Sequence, residues 1–514
     1  MSNDRSIFRT KTIEESIAET QESEYQLKKR LSALDLTVFG VGVVIGAGIF
    51  TVAGRAAASL AGPSVVISFV LAAVTCGLAA LCYAEFASTV PVSGSAYTFS
   101  YATLGEFVAW IIGWDLLLEL LLGSAVVAQG WSAYLSTFLG QLGIELPAAI
   151  SSGSRFDLPA LLLVAVLTAL VALGIKESMR VNLVLVAIKV FIVLFVIVAG
   201  IGFINTANYS PFIPPAEPAA QATTGIWHAP LLQTLFGFQP STFGVMGIFA
   251  AASLVFFAYI GFDVVATTAE EARNPQRDLP IGIIGSLVIC TILYVAVSLV
   301  ITGMQPHDQI APTASLAKAF ETVGRGGYAV LISAGAVAGL TTVVMTLIIG
   351  ATRVVFAMCR DWLLPASWGM TNPRTGTPVK ITVALGTLVA LVASLTPIGM
   401  LEEMVNIGTL TAFTLVSIAV PILRRRRPDL QRSFKVPFSP FVPYLAAACC
   451  MYLALTLPLD TWVRFGVWLV LGLVIYFTYS RKRSRLARGV GDVPAPDYSH
   501  RGPHTGGGDS PVHE

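Results

Sequence analysis

Two short strings decide the fold: GVGVVIGAGIF at residues 40–50 and FFAYIGFD at residues 256–263. Each lies in an apolar run long enough to cross a bilayer, yet each is interrupted by small residues. In the first these are Gly40, Gly42, Gly46, Ala47 and Gly48, and in the second Gly261. Glycine inside a helix costs about 0.5–1 kcal/mol relative to alanine, so a cluster of them favours local unwinding. Small residues also let helices pack closely, and for a single small-xxx-small pair packing is the better reading. Unwound backbone at membrane depth is tolerated only where protein or a cavity covers it.

Around these strings the chain is 514 residues long, 55% hydrophobic and 12% charged, with a mean hydropathy of +0.75. Soluble domains carry about 25% charged residues, so this chain lacks the polar surface to coat a soluble globule. Its apolar residues come in blocks of roughly 20, as a helix crossing about 30 Å of hydrocarbon requires. The short alternating segments of an outer-membrane barrel are missing. The reading is an all-α integral membrane protein with twelve spans. They fall near residues 35–60, 64–90, 106–139, 156–173, 182–203, 245–268, 279–303, 327–357, 379–397, 402–422, 441–458 and 463–480.

The net charge of +2 conceals an asymmetry. With both termini inside, the inward loops and the tails hold 26 of the 32 Lys and Arg residues, including Lys28, Lys29, Arg30, the run Arg424 to Arg427, and Arg481, Lys482 and Arg483. Outward segments hold Arg55, Arg155, Lys318, Arg325 and Arg464, and the long outward loop between spans five and six holds none. Cytoplasmic loops carry the basic excess, which sets both termini on that side. Nothing in this balance points to nucleic acid. The chain divides into a cytoplasmic tail (1–32), five spans (33–203), an outer loop (204–244), five spans (245–422), two further spans (423–480) and a second cytoplasmic tail (481–514). The first 30 residues alternate acidic and basic side chains, as a surface helix would. From Gly489 the composition predicts disorder. The first span follows a charged segment with no small-residue cleavage site, so no removable leader is expected. Six cysteines in or beside apolar blocks, without CxxC pairs or neighbouring histidines, read as buried small hydrophobes, and no metal site is expected.

The two interruptions occupy the first helix of each set of five. Broken helices in matching positions are the sequence mark of a midplane binding site in a transporter built as an inverted repeat. A half-helix beginning at Gly46, Ala47 and Gly48 would offer free N–H groups and a positive dipole end to a carboxylate. Free carbonyls at Val44, and at Phe257, Ala258 and Ile260, would suit an ammonium. Together they describe an α-amino acid headgroup.

The strings GVGVVIGAGIF, LCYAEFASTVPVSGSAYTFSYATLGEFVAWIIGWDLLLE and FFAYIGFDVVATTAEEARNPQRDLPIGI resemble the cationic amino acid transporter family, within the amino acid, polyamine and organocation permease superfamily. The resemblance runs from about Phe8 to Arg485. It implies ten core helices in two inverted five-helix repeats, the fold of LeuT-like transporters, plus two C-terminal helices. By that resemblance Gly46, Ala47 and Gly48 hold the substrate carboxylate, the carbonyls near Val44 and Ile260 hold its amine, and Phe257 is an aromatic lid. It further implies a bacterial plasma membrane protein, a monomer, with room for a small single-helix accessory subunit. One departure is RDWLLP at 360–365, where the family more often has glycine in place of Trp362.

Charged residues inside spans cost at least about 2.5–3.5 kcal/mol each at the bilayer centre. Lys189 lies about seven residues into span five, too deep for simple snorkelling. In proton-coupled members of the superfamily a lysine on the fifth helix takes the place of a sodium ion between helices one and eight, and Lys189 resembles it. Thr341 or Thr342 on span eight is the expected neighbour. Glu119 on span three and Asp263 after the second break are the other buried ionisable groups, each suited to an interhelix hydrogen bond or to a direct role. A cavity-facing Glu119 could recognise a basic side chain, and Asp263 is a further candidate for proton coupling. Asp115 and Glu85 are expected nearer the span ends, and Glu270 and Glu271 on a solvated or ion-paired cytoplasmic face.

These residues predict proton-coupled uptake of L-amino acids by alternating access, with no cofactor beyond the proton gradient. The cargo is either basic, such as arginine, lysine or ornithine, or a broader range that includes small neutral amino acids. The rival transport readings are a sodium-coupled permease, which an ammonium at Lys189 would disfavour, and an exchanger. Of other classes, a non-transporting scaffold or nutrient receptor would need no paired breaks. A membrane enzyme lacks support, since HExxH, a nucleotide-binding loop and a nucleophile constellation are all missing.

Overall fold

The computed structural model describes residue 9 and residues 31–488, except 90–94, 175–178, 219–225, 238–240, 373–374 and 431. The expected surface helix of the first 30 residues and the tail from Gly489 lie outside the described residues. Eight helical stretches are long and apolar enough to cross a bilayer by length and composition. The first of them, Ala33–Thr89, contains two passes, and three shorter apolar helices, Leu158–Ala172, Val379–Leu395 and Phe441–Leu455, complete the set. The twelve expected passes are therefore all present as helices. Their outer surface is apolar, with Val166, Val198, Ile292 and Val467 exposed, the pattern of a surface meeting lipid rather than water. In the loop between spans five and six Glu217–Pro218 runs antiparallel to Ser241–Thr242.

Span one starts with helix α1 (Ala33–Val44) on a reciprocal cap: the Asp35 N–H donates to the Ser32 hydroxyl, and the Ser32 N–H donates to the Asp35 carboxylate at 2.9 Å. The helix runs through Gly40 and Gly42 and stops at Val44, just before Gly46. A π-helical turn, Gly48–Val52, restarts it and leads into α2 (Ala53–Ala56). Gly62 at φ +59°, followed by Pro63, turns the chain into span two, α3 (Val65–Thr89). Span six repeats the interruption. Helix α4 (Gly244–Val255) passes into a 3-10 turn at Phe256–Tyr259, Gly261 takes φ +118°, and a second 3-10 stretch covers Asp263–Glu271. Only glycine adopts that φ without strain.

Helix packing follows an offset of five. Span two lies against span seven (Pro275–Met304), span three (Glu106–Gln141) against span eight (Gly326–Arg360), and span four (Leu158–Ala172) against span nine (Val379–Leu395). The cross pairs match as well: one with seven and six with two, three with ten (Ile398–Arg426) and eight with five (Met179–Ile201). Spans eleven (Phe441–Leu455) and twelve (Leu459–Ile475) pack outside this core, against ten and three.

Polar contacts tie both ends of the bundle. On the side assigned to the cytoplasm, Glu85 accepts from Arg424 Nε at 2.9 Å and from the Val436 N–H at 2.7 Å, and Tyr97 donates to Asp361 at 2.7 Å. Leu31 joins the entrance of span one to the exit of span six, donating to Glu271 O at 2.9 Å and accepting from the Arg273 N–H at 2.8 Å. Glu85 is thus near its span end as expected, and Glu271 lies 4.0 Å from Arg353, while the side chain of Glu270 lies outside the described residues. At the opposite end Arg55, on α2, is ion-paired with Glu402 of span ten. Trp362 adopts φ +61°, a conformation that favours glycine. The Arg488 guanidinium sits 5.4 Å from its ring centroid. Five of the six cysteines are buried, Cys449 being half-buried.

Candidate functional site

The two breaks meet. A Cβ built on Gly48 would lie 2.2 Å from the Cα of Ala258, and one on Gly261 would lie 2.8 Å from Val43 Cγ1. The unwound segments of spans one and six therefore touch backbone to backbone, which explains the glycine at 48 differently from the sequence reading. Its missing side chain makes room for span six, not only for a ligand. Gly46 is the freer position, with a Cβ there finding Val343 at 3.4 Å.

A cavity of about 30 Å³ lies at this junction, lined by Val44, Gly46, Ala47, Gly48, Phe257, Ile260 and Glu119, with Val43, Gly123, Val127, Val343 and Leu347 completing the wall. Of the residues expected at the headgroup, all but Ala258 line it, and Ala258 stands behind Gly48. The volume is enough for about two water molecules, so an amino acid requires the walls to part. Phe257, 7% exposed, is the large side chain at the wall. Phe257→Ala is expected to raise the apparent KM or cut the turnover of uptake by about tenfold. A saturation curve identical to wild type would remove the ring from the transport path.

Stopping α1 at Val44 orphans its last carbonyls, and the structure shows where they turn. Lys189 Nζ donates to Gly42 O at 2.7 Å, and the Tyr294 hydroxyl of span seven donates to Val44 O at 2.7 Å. The carbonyl expected for an ammonium thus already accepts one hydrogen bond, leaving its second lone pair. On the far side of the break, the Tyr134 hydroxyl donates to Phe50 O at 2.6 Å. Lys189 is 1% exposed. Its stem lies on Gly339 of span eight, where a Cβ would come within 2.7 Å of Lys189 Cγ. The amine therefore stands between spans one, five and eight as the sequence suggested, but the span-eight residue against it is Gly339. Thr342 donates to Gly339 O at 2.8 Å, one step removed. Thr341 faces span three, accepting from Trp131 Nε1 at 2.9 Å.

Asp263 accepts from the Gly261 N–H at 3.2 Å, pinning the turn of span six. Glu119 is 2% exposed and neither of its oxygens has a hydrogen-bond partner among the described residues. Asp115, expected nearer a span end, is instead 1% exposed and equally unpartnered. It is the residue the sequence reading missed. One helical turn before Glu119 on the same face, its spacing was the available signal.

The sequence profile described as amino acid permease matches residues 31–477. The branched-chain amino acid permease of Bacillus subtilis (strain 168) is 47% identical over 490 residues, covering 94% of this chain and 99% of that one. The methylthioribose transporter of the same organism is 42% identical over 487 residues, with the same coverage of both chains. A vacuolar cationic amino acid transporter of Arabidopsis thaliana is 39% identical over 430 residues, 82% of this chain and 68% of that one. All three are named as transporters or permeases and none as an enzyme. A multi-pass helical bundle with two touching helix breaks, matched over nearly its whole spanning region, belongs to the amino acid permease family.

Proposed function

We propose that the protein takes up L-amino acids with protons by alternating access, with the small cavity at the two breaks as the site of the α-amino acid headgroup. The observation that carries this reading is the convergence of both interruptions on one cavity, lined by the N-terminal end of a restarted helix and by Val44 and Ile260. Dipole and N–H groups at Gly46, Ala47 and Gly48 suit a carboxylate. Carbonyls at Val44 and span six suit the amine, and Phe257 closes over both. Lys189, bonded to the last turn of the first half-helix, is the proton-coupling group: with its proton it holds Gly42 O by a charge-assisted bond, and without it that bond weakens. Asp263 supports the same cycle by fixing the span-six turn.

The cargo side chain meets Gly123, Val127, Val343 and Leu347, walls that favour small or branched aliphatic amino acids. A second reading, basic amino acids, rests on the unpartnered Glu119. Since relatives of comparable similarity are named for branched-chain amino acids, methylthioribose and cationic amino acids, their names leave the cargo to experiment. The same reading assigns the repeats to 33–203 and 245–422, both termini to the cytoplasm of a bacterial cell and the proton gradient as driving force. It also assigns a monomer in the bilayer, able to accept a single-helix accessory subunit. In proteoliposomes with an imposed pH gradient, labelled leucine, alanine and arginine are expected to rank in that order of uptake. Arginine first would establish the second reading, and no gradient-driven uptake of any of them would overturn proton coupling.

A further inference from the structure

Glu402, Asn406, Thr409, Phe413 and Ser417 recur every three or four residues along span ten, so they share one face of the helix, and all are 0% exposed. A row of polar groups from other spans stands against that face. Arg55 pairs with Glu402 at one end. Asn406 Nδ2 donates to Ser253 O of span six at 2.9 Å. Glu119 lies beside Thr409. Asp115 packs on Gly408, where a Cβ would come within 2.8 Å of Oδ1. The Tyr83 ring is 5.2 Å from that of Phe413, and Ser417 adjoins Cys82 at the end nearest Glu85.

Along this row Asn406 Oδ1, both oxygens of Asp115 and the Tyr83 hydroxyl are buried without a hydrogen-bond partner among the described residues. Native interiors hold few such atoms, and a run of them is where ordered water makes its bonds. The titratable groups beside Asp115 are Glu119 on its own helix and Tyr83 from span two, and Asp263 of span six adjoins those two. From span ten it meets the uncharged Gly408. Among the described residues no cation adjoins Asp115 or Glu119, so a carboxylate there has to be neutralised by a mobile charge. Among the described residues no three acidic, histidine or cysteine side chains converge as metal ligands, and a proton is a charge that a linear row of carboxyl, hydroxyl and amide groups can pass along.

We propose that this face of span ten is a water-lined proton path and that Asp115 is a proton-carrying carboxyl on it, reached from Glu119 in the wall of the cargo cavity and apart from the Lys189 contacts at Gly42 and Gly339. The inference rests on the proton-coupled reading above. A proton taken up by the Glu119 carboxylate passes through water to the Asp115 carboxylate and leaves past Tyr83 and Ser417 to the cytoplasm. Both carboxylates end the cycle as they began it, and one proton has crossed.

Asp115→Asn keeps the shape and removes the titrating group. In reconstituted vesicles, labelled-leucine exchange at equal concentrations on both sides, which needs no net proton movement, is expected to stay within about twofold of wild type. Uptake driven by a pH gradient, and the accompanying alkalinisation read by an external pH dye, are expected to fall by at least about tenfold. Asp115→Glu should restore both, and Tyr83→Phe, which keeps the ring packing on Phe413, should slow proton movement without changing exchange. Full gradient-driven uptake in Asp115→Asn would overturn the path while leaving the permease reading intact. Loss of exchange together with uptake in Asp115→Asn, with the same loss in Asp115→Glu, would make Asp115 a packing residue and also overturn it. Wild-type vesicles that ignore the pH gradient would remove the underlying reading first, a result the variants cannot mimic.

Discussion

Replacing Lys189 with alanine is expected to abolish accumulation of amino acid driven by a pH gradient while leaving measurable binding. The amine holds Gly42 O at 2.7 Å and is 1% exposed, so alanine removes both the titrating group and the only side-chain bond that secures that carbonyl among the hydrogen bonds described. The headgroup cradle at Gly46, Ala47 and Gly48 uses different atoms and persists. Arginine is not expected to rescue, for two separable reasons. A guanidinium hardly deprotonates in proteins, and its planar fork cannot reproduce the single point contact that the amine makes with Gly42 O. Concentrative uptake in reconstituted vesicles, with protons as the sole driving force, compares wild type, Lys189→Ala and Lys189→Arg. Accumulation by either variant against its gradient would assign coupling elsewhere.

The second large effect is expected at Gly48. Even the single methyl of Gly48→Ala would stand 2.2 Å from Ala258 Cα and 2.4 Å from its Cβ. The obstacle is backbone, so no rotamer change relieves it. Overpacking a tight interior costs about 1–3 kcal/mol and occasionally more, and here the two broken segments have to separate. Gly48→Ala should therefore lower the melting temperature of the purified protein by several degrees and eliminate transport. Gly46→Ala is the control. Its Cβ meets Val343 at an ordinary 3.4 Å, so the fold should survive, while a methyl on the cavity wall should weaken substrate binding. If Gly48→Ala melts and transports like wild type, the contact between the breaks is looser than the geometry requires.

Much of this architecture was legible because membrane spans expose their physics in composition. Twelve apolar blocks and two interruptions marked by small residues need no long-range information. Lys189 was legible for the same reason, as a charge too deep in an apolar run to be accidental. The partners were harder. That Tyr294 would cap the Val44 carbonyl depends on a pairing across 250 residues, and nothing local to the tyrosine announces it. Naming Thr341 or Thr342 beside Lys189 required the rotation of span eight. The structure turns Thr341 to Trp131 and sets the smaller Gly339 against the amine. Asp115 was judged by its distance from the start of the span, whereas its burial is decided by the spans that surround it.

The closeness of Gly48 to Ala258 also limits how the gene can drift. Most crowded positions tolerate a larger residue once a neighbour shrinks, so the two change in tandem over time. Here a side chain at position 48 collides with the Cα of residue 258, an atom that every amino acid retains. Trimming Ala258 to glycine would remove the methyl and leave the collision. Position 48 thus has an alphabet of one letter, with no second-site suppressor available at the residue it touches.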